Sequence, residues 1–366
     1  MKPPLRARTV KVGPYKLGHG LPVRVQAMCD TDTRDVRATV RQLRLLEDAG
    51  CEINRVAVPD MEAALALKKI RKQVAAPVVA DIHFDWRLAV AAAHNGADKI
   101  RINPGNIGSP EGVRAIVKAC RERGLPIRVG VNAGSLKLFK TVRGRVALSP
   151  AEMARAMARE ALEQARMLED EGFGDVLVSL KADDARVTEL ACRLFASQSR
   201  IPQHLGVTEA GPLLPGAVKS SVALSSLLRD GIGATVRVSL SEKPEAQVRC
   251  AYELLKALGL REYGPEIISC PTCGRCCADV RGAARALDAA IYADRELREK
   301  ARGLKIAVMG CAVNGPGEAR AADFGVAGIP GGNGLFFRRG TPQGRIPGRD
   351  WVKALVKIIR QRGKTS

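Results

Sequence analysis

Short β-branched segments alternate with longer amphipathic segments over the first two-thirds of the chain. Stretches such as 35–50, 110–124 and 242–259 repeat their apolar residues at helical spacing, and several begin with Asp, Ser or Pro and end in Gly, as helices do. Eight strand–helix units within about 240 residues predict a closed (β/α)8 barrel. The candidate strands are VRVQAM (23–28), INRVAV (53–58), PVVADIH (77–83), KIRINPG (99–105), IRVGVN (127–132), VLVSLKA (176–182), HLGVTEA (204–210) and TVRVSL (235–240).

An open, doubly wound sheet would show the same alternation. A dinucleotide fold of that type carries a Gly-rich turn after its first strand, and the sequence has none there. The later GIPGGNG (328–334) has its glycines at the wrong spacing for phosphate binding. We therefore predict an α/β fold that begins with a TIM-like barrel.

The alternation changes after Pro265. EIISCP, a long helix over 279–302, the strand KIAVMG, a Gly-rich stretch over 310–340 and a final helix in DWVKALVKIIRQRG indicate a separate, smaller α/β domain. We place the barrel in residues 1–262, with the ligand-binding mouth, and the second domain in residues 263–366.

The ends of the predicted strands are unusually polar. In a barrel these ends meet at one mouth, and residues spaced i, i+2 share a face of their strand. Five cations would therefore converge, and burying them together without a counter-ion is costly. Arginine forks suit phosphate oxygens, so we predict a polyanionic ligand such as a diphosphate. The five are Arg55, Arg101, Arg128, Lys181 and Arg237, with Asp81, His83, Asn132 and Ser239 beside them.

Three other groups at the predicted mouth have two interpretations each. Glu209, in VTEAG, is an acid among cations, either a proton donor or substrate-orienting group, or one half of a structural ion pair. Asp81 and His83, in VADIHFD, divide in the same way. A satisfied core histidine accounts for His83 as well as a catalytic one does.

The charge balance is strongly basic, with 59 Lys and Arg against 38 Asp and Glu. A net charge of +21 suits nucleic acid, an anionic substrate or an acidic protein partner. Aromatic residues are only 4%, few for stacking on bases. The first 20 residues contain no apolar run, and no segment resembles a membrane helix. We expect a cytoplasmic protein that binds neither nucleic acid nor membrane.

Five of the ten cysteines lie between 270 and 311. In a cytoplasmic chain such clustering indicates free thiols or a metal site rather than disulfides. Cys270 and Cys273 form a Cys-x-x-Cys pair, and Cys311 supplies a third sulfur. Zinc would need a fourth ligand, from Cys276 or Cys277. A [4Fe–4S] cluster can be held by three cysteines, with Glu318 as a more easily displaced ligand on the last iron.

Several motifs together resemble one family, the 4-hydroxy-3-methylbut-2-enyl diphosphate synthases of the methylerythritol phosphate pathway to isoprenoids. They are VADIHFD, RINPGNIG, GVNAGSL, HLGVTEAG, GAVKS, ISCPTCGR and MGCAVNGPGEA. The resemblance implies a barrel followed by an iron–sulfur domain, in a head-to-tail homodimer. It also implies reductive ring opening of 2-C-methyl-D-erythritol 2,4-cyclodiphosphate, with electrons from flavodoxin or ferredoxin.

The same resemblance implies roles for individual residues. The cluster would be ligated by Cys270, Cys273, Cys311 and Glu318, with Glu318 leaving to free its iron for catalysis. Glu209 would serve in proton transfer, and Asn314 would contact a substrate oxygen. The diphosphate would be held by Arg55, Arg101, Arg128, Asn132, Lys181, Arg237 and Ser239. Cys276 and Cys277 depart from the expected pattern, and we expect them to be bystanders.

Two rival interpretations remain at this point. One is a barrel phosphate enzyme whose second domain carries only structural zinc. The other is a basic nucleic-acid-binding protein with a zinc knuckle, which leaves the polar strand ends unexplained.

Overall fold

The computed structural model describes residues 3–107, 109–136, 148–313, 317 and 319–362. The chain divides into two compact units, Met1–Arg261 and Glu262–Ser366. The division falls one residue before the boundary that we expected from the sequence.

The first unit is built on an eight-stranded parallel sheet. Its order is β8-β7-β6-β5-β4-β3-β10-β9, and the isolated parallel bridge between Val178 and Gln203 links its two edges. The predicted TIM-like barrel is confirmed. Its strands are β3 (Arg24–Met28), β4 (Ile53–Ala57), β5 (Val78–Asp81), β6 (Lys99–Ile102), β7 (Ile127–Asn132), β8 (Val176–Lys181), β9 (His204–Leu205) and β10 (Thr235–Val236).

Helices follow these strands and cover the outside of the barrel. The side chains of Asp35, Asp60, Ser109, Ser149 and Asp184 each accept a backbone N–H of the helix that they begin. These are the capping residues that favour helix starts. The helices are α1 (Val36–Asp48), α2 (Met61–Arg71), α3 (Trp86–His94), α4 (Pro104–Ile107), α5 (Pro110–Arg123), α6 (Pro150–Glu169), α7 (Ala185–Ala196), α8 (Leu213–Arg229) and α9 (Pro244–Ala257).

A short antiparallel hairpin that the sequence pattern did not predict precedes the barrel. It consists of β1 (Val10–Val12) and β2 (Tyr15–Leu17), with Val10 opposite Leu17. Its buried apolar side chains pack with Ile53, Val79 and Leu177 from the barrel strands. The hairpin therefore covers the amino end of the barrel and leaves the carboxyl ends of the strands for the mouth.

The second unit contains a five-stranded mixed sheet in the order β11-β12-β13-β14-β15. The first three strands are parallel and the last two pair antiparallel. A core that includes Leu287, Val308, Val326 and Trp351 joins the sheet to its helices. The strands are β11 (Glu266–Ser269), β12 (Lys305–Met309), β13 (Phe324–Ile329), β14 (Asn333–Arg338) and β15 (Thr341–Pro347), and the helices are α10 (Val280–Ala293), α11 (Arg295–Lys300) and α12 (Trp351–Gln361).

One expectation for this unit was wrong in detail. The single helix over 279–302 is two helices, because Asp294 leaves the helical conformation and caps α11 by accepting the Leu297 N–H at 3.0 Å. The Gly-rich stretch over 310–340 contains β13 and β14, since its glycines allow close packing between strands. A side chain on Gly325, for example, would lie 2.6 Å from the carbonyl oxygen of Ala307.

None of the helices in the described part of the chain is both long enough and apolar enough to cross a membrane.

Candidate functional site

Asp81 contacts three other polar side chains at the barrel mouth. Its Oδ2 accepts Nη2 of Arg55 at 2.6 Å, and its Oδ1 accepts Nη1 of Arg101 at 3.1 Å. Nε2 of His83 lies 3.1 Å from the same carboxylate. The parallel register explains the convergence, because Asp81 is paired laterally with Ala57 on β4 and with Arg101 on β6. The carboxylate is only 3% exposed.

Three more cations lie on the remaining strands of the mouth. Arg128, on β7, is 1% exposed and donates from Nη1 to Oε1 of Gln26 at 3.4 Å. Arg237 follows β10, and its Nη1 lies 3.8 Å from Sδ of Met28. Lys181 ends β8, and its Nζ lies 3.2 Å from Nε2 of His204. The structure thus brings the five predicted cations to one end of the barrel.

Burial, and after it the mutual repulsion of these cations, lowers the pKa of Lys181 and of Arg237. Burial, with Arg237 and Arg128 nearby, lowers the pKa of Lys181 well below its usual value. Burial and Arg55 lower the pKa of Arg237 to about 10. Burial alone would raise the pKa of Asp81, but Arg55 and its other cationic neighbours hold it well below the ordinary value. One ionised carboxylate therefore faces an excess of positive charge.

Three of these guanidinium groups have an N–H donor without a hydrogen-bond partner among the described residues. Nε of Arg55, Arg128 and Arg237 is buried and has no acceptor in the described structure. Buried donors without partners cost free energy, so they indicate a ligand or water that supplies acceptors. A polyanion satisfies both the charge and the donors.

Two glycines give the cationic side chains their room. A Cβ on Gly130, in β7, would lie 2.5 Å from Nε of Arg101. A Cβ on Gly206, just after β9, would lie 2.7 Å from Nζ of Lys181 and 2.5 Å from the carbonyl oxygen of Arg237. The positions of Arg101 and Lys181 therefore depend on the absence of these side chains.

The remaining predicted groups lie around the mouth. Asn132 ends β7, Ser239 lies beyond β10, and both are half-buried. The His83 side chain is 52% exposed, which makes it accessible to a ligand and excludes the core-histidine interpretation. Glu209 is exposed and has a φ of +51°, in the left-handed region that non-glycine residues rarely adopt. Such strain is often found at functional sites.

In the second unit, the cysteines lie where two parallel strands end. Cys270 follows β11 and Cys311 follows β12, and Ser269 is paired with Val308 in the register. The backbone N–H of Gly310 donates to Sγ of Cys270 at 3.2 Å. Thr272, inside the Cys-x-x-Cys loop, has a φ of +71°, which is strained for a β-branched residue.

The cysteine thiolates fit an iron–sulfur cluster in their chemistry, and two of them, Cys270 and Cys311, follow neighbouring parallel strands. Within the described ranges, no three His, Cys, Asp or Glu side chains are grouped to hold a single metal ion. Glu318 and Asn314 lie outside the described residues.

The structure adds polar groups that the sequence analysis did not single out. His204 and Thr235 are fully buried, and Nδ1 of the imidazole lies 2.8 Å from the threonine Oγ1. Lys99 is also fully buried, on β6 two residues before Arg101. Its i, i+2 spacing from Arg101 was the signal that could have revealed it, whereas His204 stands beside Lys181 only through pairing of distant strands.

Comparison with known proteins agrees with this arrangement. The GcpE TIM-barrel domain matches residues 7–252, and the GcpE protein C-terminal domain matches residues 266–361. A protein of Anoxybacillus flavithermus is 48% identical over 97% of this chain and 94% of its own length. One of Thermodesulfovibrio yellowstonii is 46% identical over 97% of this chain and 99% of its own length. Both are named 4-hydroxy-3-methylbut-2-en-1-yl diphosphate synthase (flavodoxin).

Solved structures of other enzymes share the fold of part of the chain. A dihydropteroate synthase of Coxiella burnetii superimposes with a TM-score of 0.50 and 10% identity, over 70% of this chain and all of that one. At this identity the likeness concerns the fold and not the activity. The two domain matches and the near-full-length relatives carry the assignment: the chain belongs to the GcpE family, the family of the 4-hydroxy-3-methylbut-2-en-1-yl diphosphate synthases.

Proposed function

We propose that this enzyme reduces 2-C-methyl-D-erythritol 2,4-cyclodiphosphate to 4-hydroxy-3-methylbut-2-enyl diphosphate and water, with electrons from flavodoxin. The identity of 46% to 48% with synthases named for flavodoxin supports this reaction. The observation that carries it is the excess of buried cations around Asp81, which a polyanionic ligand would neutralise.

The cationic groups bind and orient the diphosphate. Asp81 fixes the forks of Arg55 and Arg101 through charged hydrogen bonds, so that their free N–H groups are pre-organised for phosphate oxygens. Arg128, Lys181 and Arg237 add charge from three other strands, and Asn132, Ser239 and His83 complete the binding site at the rim. Because the hairpin covers the amino end of the barrel, water is excluded from below.

The reaction consumes two electrons and one proton. The bond between one ring carbon and its phosphate oxygen breaks, which opens the cyclic diphosphate. The hydroxyl group on the neighbouring carbon takes up the proton and leaves as water. We assign the proton delivery to the Glu209 carboxyl, which is exposed in a strained backbone at the mouth. Asn314 is assigned to a substrate oxygen.

We infer that Cys270, Cys273, Cys311 and Glu318 hold a [4Fe–4S] cluster. When bound, the cluster supplies the electrons one at a time and a Lewis-acidic iron. The three cysteines would hold it, two of them just after β11 and β12, and Glu318 would be the more easily displaced ligand. We also propose a head-to-tail homodimer in the cytoplasm.

The test is anaerobic reconstitution with iron and sulfide, followed by turnover of the cyclic diphosphate with reduced flavodoxin. We expect the open allylic diphosphate as product, and iron with acid-labile sulfide in the protein. Arg128→Leu should raise KM steeply while the fold and cluster content are retained. Protein that contains zinc alone and gives no product would overturn the proposal in favour of a structural zinc domain.

A further inference from the structure

Lys99 is a fully buried lysine that the diphosphate-binding scheme does not use. Its Nζ has no hydrogen-bond partner in the described structure. Side chains two apart on a strand share a face, so Lys99 lies on the same interior face as Arg101 and one step deeper in the barrel. A buried amine without an acceptor is costly to keep, which indicates a role.

The groups that face Lys99 are cationic or neutral. Arg55 on β4 and Arg128 on β7 act on its amine, and His204 on β9 is close enough to be influenced by it. On β5 its lateral neighbour is Val79. The one carboxylate nearby, Asp81, is already bound by Arg55, Arg101 and His83. Burial and these two arginines lower the pKa of Lys99 well below its usual value.

We propose that Lys99 is uncharged in the ligand-free barrel and takes up a proton from solvent when the diphosphate binds above it. This inference rests on the proposed function. An arginine cannot lose its proton, so the repulsion between neighbouring cations is relieved at a lysine. Lys181 has His204 Nε2 at 3.2 Å to accept from its ammonium, whereas Lys99 has no acceptor in the described structure, so Lys99 is the lysine that loses its proton. A dianionic ligand seated on Arg55 and Arg128 removes that repulsion and attracts the ammonium form.

The coupling works in both directions. If the ligand-bound barrel binds an additional proton, substrate affinity falls as pH rises between the pKa of Lys99 in the free protein and its higher pKa in the complex. Ligand binding thus causes Lys99 to become protonated, and the resulting ammonium group helps to position the ligand. The ligand itself neither gains nor loses a proton near neutral pH, because each phosphorus of a cyclic diphosphate carries a single strongly acidic oxygen that stays ionised.

The experiment is anaerobic calorimetry of the cyclic diphosphate with the oxidised holoenzyme, in buffers of different ionisation enthalpy at one pH. The dependence of the binding enthalpy on the buffer gives the number of protons taken up. We expect uptake by the wild type, about one proton fewer for Lys99→Met, and roughly tenfold weaker binding. Lys68→Met, which replaces an exposed lysine of α2, should match the wild type.

A second readout separates this role from a structural one. Because Lys99→Met removes an unpartnered buried amine, its Tm should rise by about 2–4 °C even as affinity falls. Equal proton uptake by a folded variant and the wild type would overturn the inference, and so would a lower Tm of both Lys99→Met and Lys99→Gln. Lys99→Gln repeats the measurement if the methionine variant does not fold. Failure of the wild type to bind the cyclic diphosphate at all would instead contradict the proposed function.

Discussion

Nε2 of His204 lies 3.2 Å from Nζ of Lys181, and the opposite nitrogen of the same ring lies 2.8 Å from Oγ1 of Thr235. Both nitrogens are therefore engaged, and the ring is fully buried. Burial, Lys181 and Arg128 lower the pKa of His204 well below its usual value, so the imidazole is neutral at pH 7. A neutral ring whose Nδ1–H donates to the threonine can accept from the lysine ammonium and fix its direction.

His204→Leu should therefore weaken diphosphate binding through Lys181. We expect KM to rise about tenfold with a smaller change in kcat, because an orienting acceptor for a binding charge is lost. His204→Gln keeps an acceptor and should recover part of the affinity. His19→Leu, at an exposed histidine, is the matched control. Equal KM values for His204→Leu and the wild type would show that the ring does not position Lys181.

Asp81→Asn should damage both the fold and the site. The change removes the counter-ion of Arg55 and Arg101, and breaking a buried ion pair typically costs about 3 kcal/mol in the free energy of unfolding. Denaturant titration and KM measure the two effects. The control is Asp85→Asn, which changes a half-buried aspartate just before α3. It should cost much less in the free energy of unfolding.

The same carboxylate predicts a direction of pH dependence. The pKa of Asp81 is lower in the folded state than in the unfolded chain. Its contribution to stability is therefore complete above the unfolded value of about 3.9 and is lost as pH falls toward the folded value. The stability difference between wild type and Asp81→Asn should shrink as the solution is acidified below pH 4. A difference that stays constant down to the acid transition would contradict the ion-pair explanation.

Gly130→Ala should displace Arg101 without unfolding the barrel. The new methyl group would lie 2.5 Å from Nε of Arg101, so the side chain has to move away from Asp81. We expect a higher KM and a nearly unchanged far-UV circular dichroism spectrum. Gly134→Ala, four residues later with no heavy atom within 4 Å of the new methyl group, is the control. If both variants keep the wild-type KM, the placement of Arg101 is not required for binding.

The five clustered cysteines should separate into two classes. Cys273→Ser should abolish the visible absorbance of the reconstituted cluster, because it removes one of the three proposed sulfur ligands. Replacing both Cys276 and Cys277 by serine should leave that absorbance intact. Cys276 donates to the carbonyl of Ala278 at 3.1 Å, and Cys277 is exposed with its sulfur directed at the carbonyl of Arg275. Loss of the cluster in the double variant would make one of them a ligand.

Reduction by flavodoxin should slow as ionic strength rises. The chain carries a net charge of +21, and flavodoxins are acidic, so complementary fields should speed a weak encounter that salt screens. Stopped-flow measurement of the electron transfer rate at increasing salt tests this, with a small neutral reductant as the control. A rate insensitive to salt would exclude electrostatic steering.

The sequence predicted the long elements of the barrel because their patterns are complete within a few residues. The strand over 127–132 has the bounds that were predicted, since apolar and polar positions alternate through its whole length. HLGVTEA was predicted as a strand of seven residues, but only His204 and Leu205 pair, because the chain then leaves the ladder for the loop that holds Glu209. The hairpin of β1 and β2 was missed because three-residue strands carry too little periodicity.

In the candidate site, too, features set by local spacing were predictable and contacts between distant segments were not. The cations of the mouth were predictable, because the spacing i, i+2 at strand ends assigns a face without knowledge of the strand order. The partnership of Lys181 with His204 was not predictable, since it depends on two chain segments 23 residues apart meeting in one register. The pairing of Gly310 with Cys270 has the same origin in two neighbouring parallel strands.

The amino-terminal hairpin has a consequence for the order in which the barrel matures. Val10, Val12 and Leu17 are synthesised before Leu177 and Ala234, which are among their packing partners and lie far along the chain. The hairpin can therefore complete its packing only after β8 and the segment before β10 are in place. If Lys99 is uncharged in the folded, ligand-free barrel, as proposed above, folding as a whole should release its proton.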